Sequence, residues 1–109
     1  RKEEKSADIR KRVVVARDIQ TERFKETEGV YSNAQLQTRH LREVCRIEKE
    51  GQDLLRHAID KLNLSARAYD RILKVARTIA DLEQSENIET GHLAEAIQYR
   101  SLDREGWMG

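Results

Sequence analysis

Apolar residues recur along this chain at steps of three and four, the spacing of one face of an α-helix. Ile9, Val13, Ala16, Gln20 and Phe24 keep that spacing and predict a first, long helix over about residues 6–26, capped by Ser6 and with this stripe turned inward. Arg10, Lys11, Arg17 and Arg23 fall largely off the stripe. Gly29 and the Ser32-Asn33 pair predict a loop over residues 27–33. A second helix is expected over about residues 33–49, anchored by Leu36, Leu41, Val44, Cys45 and Ile47, with Gly51 ending it or making a tight joint to the next. The third, residues 52–62, places Leu54, Leu55, Ala58, Ile59 and Leu62 on one face, with Arg56 and Lys61 pointing away. Asn63 then ends it in the left-handed conformation, Ser65 caps the fourth, and Leu64 with Tyr69 have the spacing of a hydrophobic staple. So short a turn predicts that the third and fourth helices are neighbours in space.

The fourth helix, over about residues 66–84, has the strongest pattern. Ala68, Tyr69, Ile72, Leu73, Val75, Ala76, Ile79, Ala80 and Leu82 make an apolar surface too wide for a half-exposed helix, so it is expected at the centre of a bundle. Thr90 is read as the cap of a fifth helix carrying Leu93, Ala96 and Ile97 inward, and residues 102–109 as a tail. The fold class that follows is all-α, a small bundle of about five helices with a long N-terminal one.

Composition agrees with this picture and narrows the function. The 109 residues suffice for one domain, with no proline, five glycines and 38% charged side chains. Twenty-one basic residues oppose twenty acidic ones, and a net charge of +1 argues against bulk electrostatic binding to nucleic acid or an anionic membrane. The longest apolar run, Val13-Val14-Val15-Ala16, is too short to span a bilayer. Position 1 is Arg, so an upstream part is expected to be missing; no secretory leader is expected. A single cysteine excludes an internal disulfide and fits a reducing compartment, with the cytoplasm as the expected location.

Catalytic chemistry is sparse. No glycine-rich phosphate loop followed by Lys-Ser/Thr is present. His40, His57 and His92 stand on separate predicted helices without metal-ligand spacing, so no metal site is expected. Cys45, between Val44 and Ile47, reads as a buried small hydrophobe. Glu3-Glu4 reads as solvated surface. One local preference is broken. With Ser65 as cap, Arg67 is the second residue of the fourth helix, where a cation opposes the positive end of the helix dipole. Arg71 and Lys74 follow at steps of four and three along the same side. Backbone N–H groups and a guanidinium at a helix start suit phosphate oxygens. The competing reading is that Asp70 or another acid pairs with these cations on the surface.

The run Leu64-Ser65-Ala66-Arg67-Ala68-Tyr69, continued by Arg71-Ile72-Leu73-Lys74-Val75-Ala76-Arg77-Thr78-Ile79-Ala80-Asp81-Leu82, closely resembles the C-terminal helical domain of magnesium-chelatase-like AAA+ ATPases of the ComM/YifB competence-protein type. His92-Leu93-Ala94-Glu95-Ala96-Ile97-Gln98-Tyr99-Arg100, Asn33-Ala34-Gln35-Leu36, Cys45 and the upstream Arg12-Val13, Ala16-Arg17, Gln20 and Arg23 fit the same pattern, so the resemblance covers nearly the whole chain. It implies a helical lid on a nucleotide-binding core: residues 1–28 as the linker helix joining the core, 29–101 as the lid, and 102–109 as the tail. It also implies that Arg67 is the sensor-2 arginine that contacts ATP, as a catalytic and nucleotide-binding residue. Arg71 and Lys74 are secondary candidates for binding the nucleotide or a neighbouring subunit, and Arg17 and Arg23 for contacting the core or the adjoining protomer, or for structural salt bridges. ATP and Mg²⁺ would be held mainly by the upstream core, so the fragment alone is expected to be no enzyme. The partners implied are that core, neighbouring subunits of a hexameric ring, and DNA in recombination or branch migration, with no membrane. No residue supports insertion of magnesium into a porphyrin. Two other readings stand beside this one: a stand-alone helical nucleic-acid-binding module using Arg10, Lys11, Arg12, Arg17 and Arg23, and a protein-interaction bundle without a nucleotide.

Overall fold

The computed structural model describes residues 6–104, apart from the side chains at 38, 42 and 100–104. Five α-helices and one 3₁₀ turn follow in the order α1 (Ser6–Phe24), the 3₁₀ turn (Asn33–Gln35), α2 (Thr38–Val44), α3 (Lys49–Leu62), α4 (Ala66–Leu82) and α5 (Thr90–Arg104), with no strand among the described residues. This is the expected all-α bundle. The Glu3-Glu4 pair and residues 105–109 of the expected tail lie outside the described residues.

Helix α4 lies at the centre, packed against α1, α2, α5 and the 3₁₀ turn. Its wide apolar surface is the reason: Ala68, Ile72, Leu73, Ala76, Ile79 and Ala80 are all buried, with Tyr69, Val75 and Leu82 half-buried at its margins. Leu36, Leu55 and Leu93 from other elements belong to the same buried core. On α3, Leu55 and Ala58 are buried while Arg56 and Lys61 are exposed, as the spacing predicts. Asn63 ends α3 at φ 53°, ψ 53°, and the N–H of Leu64 closes the turn on the Ile59 carbonyl at 3.1 Å.

Several expectations are corrected. The single second helix is broken into the 3₁₀ turn and α2, with Leu36 extended between them at φ −63°, ψ 137°. A continuous helix would carry Asn33 away from the α1–α4 seam, where it is buried. Instead the Gln35 side chain accepts the N–H groups of Tyr31 and Ser32 and holds the turn. Past α2 the chain stays extended long enough for Ile47 to bridge Ile88.

Gly51 neither ends a helix nor joins two; it lies in the first turn of α3, which starts earlier than expected, at Lys49. A Cβ there would come within 2.8 Å of Leu93 Cδ1, so the glycine admits α5. Accordingly α3 packs chiefly on α5 and not along α4. The short Asn63–Ser65 turn connects α3 and α4 without laying one along the other.

At the second end, α5 starts on Thr90, so the capping position falls to Glu89; its carbonyl accepts the N–H groups of His92 (3.0 Å) and Leu93 (3.2 Å). The helix continues to Arg104, into the expected tail. Ser6, expected as a cap, is the first residue described and is already helical. On α1, Ala16, Gln20 and Phe24 are buried, but Ile9 and Val13 are 44% and 38% exposed. The N-terminal half of the predicted inward stripe is thus left largely outside the core.

Candidate functional site

The start of α4 is built by its cap. Ser65 is extended at φ −83°, ψ 170°, and its hydroxyl oxygen accepts the N–H of Ala68 at 3.2 Å. The Ser65 carbonyl accepts the N–H of Tyr69 at 3.1 Å, which sets the helix register. The N–H groups of Ala66 and Arg67 precede any helical acceptor, and both residues are exposed. No acidic residue stands in this first turn. Arg67 therefore presents its guanidinium outward at the positive end of a helix.

The other two candidate cations lie further along. Arg71 is exposed, and neither it nor Asp70 is without a partner. Lys74 is half-buried and lines a groove of about 410 Å³ where α1, α4 and α5 meet, beside Arg12, Val75, Thr78, Ile79 and Tyr99. Arg67, Arg71 and Lys74 thus follow one side of α4, with only Lys74 reaching the groove.

The most elaborate polar structure is at the opposite end of α4, where Arg23 makes the structural salt bridge that was one of its expected roles and Arg77 and Asp81 were not singled out. Asp81 is fully buried. Arg23 of α1 reaches it with a two-pronged bond, Nη1 to Oδ2 at 2.9 Å and Nη2 to Oδ1 at 2.8 Å. Arg77, one turn before Asp81, donates from Nε to Oδ1 at 3.2 Å and from its two terminal nitrogens to the carbonyls of Glu86 (3.1 Å) and Ser85 (2.8 Å). Asn33 donates to Asp81 Oδ2 at 2.9 Å and to Thr78 Oγ1 at 3.0 Å, and accepts from Arg23 at 3.1 Å. Its backbone N–H is taken by Gln20 at 3.0 Å. Among the described residues no buried side-chain nitrogen or oxygen is left without a partner.

Electrostatics follow from this geometry. Burial by itself would raise Asp81, but hydrogen bonds from Arg23 and Asn33 and the charges of Arg23 and Arg77 outweigh it and hold the carboxyl below its ordinary value. Burial lowers Arg77, and Asp81 offsets part of that. Such a satisfied network around a sealed carboxylate suits structure. Arg23 is thus engaged with Asp81 and Asn33 within the bundle. A legible signal did exist: Leu73, Arg77 and Asp81 stand at steps of four, so an Arg–Asp pair runs in line with the buried face of α4.

The remaining candidates are placed plainly. Cys45 is buried, and burial pushes its thiol up to about 11, so it is the small hydrophobe expected. His92 is buried with Nδ1 accepting the Glu89 N–H at 2.9 Å and Nε2 facing Glu83 at 3.1 Å, which assigns it to the α4–α5 connection. His40 and His57 stand on α2 and α3. Among the described residues no group of three acidic, histidine or cysteine side chains is placed to hold a metal. No described helix is long and apolar enough to cross a membrane.

Residues 3–100 match the family model described as magnesium chelatase, subunit ChlI C-terminal. The chain is 43% identical over 93% of its length to the uncharacterized protein YifB of Escherichia coli, covering 19% of that relative. It is equally 43% identical, with 93% and 19% covered, to the competence protein ComM of Haemophilus influenzae. An uncharacterized protein of Mycobacterium tuberculosis is 32% identical over 89% of the chain and 19% of the relative. The chain thus spans about a fifth of the relatives it matches. It belongs to the magnesium-chelatase-like C-terminal domain family, of the ComM/YifB type.

Proposed function

We propose that this domain is the lid of a ring-shaped AAA+ ATPase and that Arg67 is the side chain by which it contacts ATP. The observation that carries this reading is an exposed guanidinium on the second residue of a Ser-capped helix whose first turn holds no acid. A triphosphate supplied from elsewhere is the partner that turns this unfavourable position into a favourable one, because helix N–H groups and a guanidinium both complement phosphate oxygens. Near the γ-phosphate, Arg67 stabilises charge that spreads over the transferring group. Losing that phosphate then loosens the lid, which couples hydrolysis to movement between subunits.

Arg71 is the secondary nucleotide or subunit contact, and Lys74 a weaker one because it is turned into the groove. Mg²⁺ finds no carboxylate set beside Arg67 among the described residues; the remainder of a longer chain would supply it, with most of the ATP cradle. A cytoplasmic ring, hexameric and acting on DNA, is the whole protein we infer; one of the relatives is named a competence protein.

Arg67→Ala in the full-length protein tests the reading. The ring should assemble normally while ATP turnover falls by about 100-fold, the usual scale for removing one transition-state donor. Unchanged turnover in an assembled ring would remove Arg67 from the nucleotide site.

A further inference from the structure

Helix α1 is attached to the rest of the molecule in a different manner from the other helices. The α3–α4–α5 core is joined by large apolar side chains, Leu55, Ile72, Leu73 and Leu93, each at most 5% exposed. From α1 the buried residues are Ala16, Gln20 and Phe24, while Ile9, Val13 and Val14 are exposed. Apart from Phe24, the one large α1 side chain in the apolar core, what α1 contributes is polar and concentrated near its end: Gln20 takes the Asn33 N–H, and Arg23 makes three hydrogen bonds to Asn33 and Asp81.

We propose that Arg23 and Asp81 form a latch that holds α1 in one register on α4, and that opening it frees α1 as an arm while α2–α5 stay folded. Three properties give the pair this character. The fork-to-carboxylate match is met in one geometry and lost with a small displacement, so the joint is either closed or open. Arg23 keeps 21% of its side chain exposed, whereas Asp81 is sealed, so the arginine is the partner that can leave into water. When it leaves, Asp81 still has Arg77 and Asn33, and the carboxylate is not stranded.

The latch also bears on the nucleotide contact, a consequence that rests on the proposed role of Arg67. Asp81 is in the last turn of α4 and Arg67 in the first, on one 17-residue helix. Such a helix moves as a rigid piece, so closing the latch sets where Arg67 stands relative to α1. Arg23 is in this sense a positioning residue.

Amide hydrogen exchange, read residue by residue by NMR, tests the latch. In Arg23→Met the protection of Ala16 and Gln20 should fall by about tenfold or more, while Leu55, Ala76 and Leu93 keep theirs. Arg23→Lys, which retains the charge without the fork, should give an intermediate loss on α1 alone. Equal loss of protection throughout the bundle would overturn the proposal, because α1 would then open only with the whole molecule. So would unchanged protection of α1. Arg67→Ala should leave the exchange pattern as it is, so a failed nucleotide reading shows in ATP turnover and a failed latch shows in exchange.

Discussion

A carboxylate with no access to water is costly unless its lone pairs are filled, and Asp81 has Arg23, Arg77 and Asn33 around it. Each of those partners is bound elsewhere too: Arg23 to Asn33, Arg77 to the carbonyls of Ser85 and Glu86, and Asn33 to Gln20 and Thr78. The carboxylate therefore joins α1, the 3₁₀ turn, α4 and the loop after it. Asp81→Ala should be one of the most damaging single substitutions in the chain, costing about 3–5 kcal/mol because it leaves buried guanidinium without its counter-charge. Urea unfolding measures this directly, and a cost below about 1 kcal/mol would mean that water replaces the network at little expense.

Among the elements, α3 and α5 illustrate how one missing side chain sets a packing distance. Leu93 is fully buried, and its Cδ1 occupies the space that a methyl on residue 51 would need. Gly51→Ala should gain about 0.5–1 kcal/mol in helix preference but lose about 1–3 kcal/mol through overpacking against Leu93. The net expectation is destabilisation by about 1 kcal/mol, read as a lower urea midpoint, with Leu93→Ala in the same chain removing the penalty. A more stable Gly51→Ala single variant would show that the two helices yield easily. The break between the 3₁₀ turn and α2 follows similar logic: Leu36, Leu41 and Cys45 are all buried, but the place of Asn33 in the Asp81 network prevents one straight helix from carrying them.

At the scale of the whole molecule, stability should depend on pH at both extremes. Asp81 is held below its ordinary value of 3.8 when folded, so its contribution is present above that pH and is lost as pH falls through the lower, folded value. Cys45 works in the opposite sense. Its folded value of about 11 exceeds the ordinary 9.0, so its contribution is complete below pH 9 and is lost as pH rises toward 11. Thermal unfolding across pH should show both declines, and Cys45→Ala should flatten the alkaline one by up to about 3 kcal/mol while leaving the acid one. An alkaline decline unaltered in that variant would place its origin in other groups.

The sequence by itself determined what periodicity and local stereochemistry can determine: the number and type of the helices, the central place of α4, the Asn63 stop, the Ser65 cap, the burial of Cys45 and the outward position of Arg67. Those features follow from side chains a few residues apart, and the long run through α4 carried the family with them. Only the tertiary structure decided the rest. Asp81 finds Arg23 across 58 positions and Asn33 across 48, and Gly51 is shaped by Leu93 of another helix. The broken second helix, the pairing of α3 with α5 and the exposure of Ile9 and Val13 likewise depend on which surfaces meet. Spacing along a chain encodes one face of one helix; the partner that face will meet is settled only when all the elements compete for the same core.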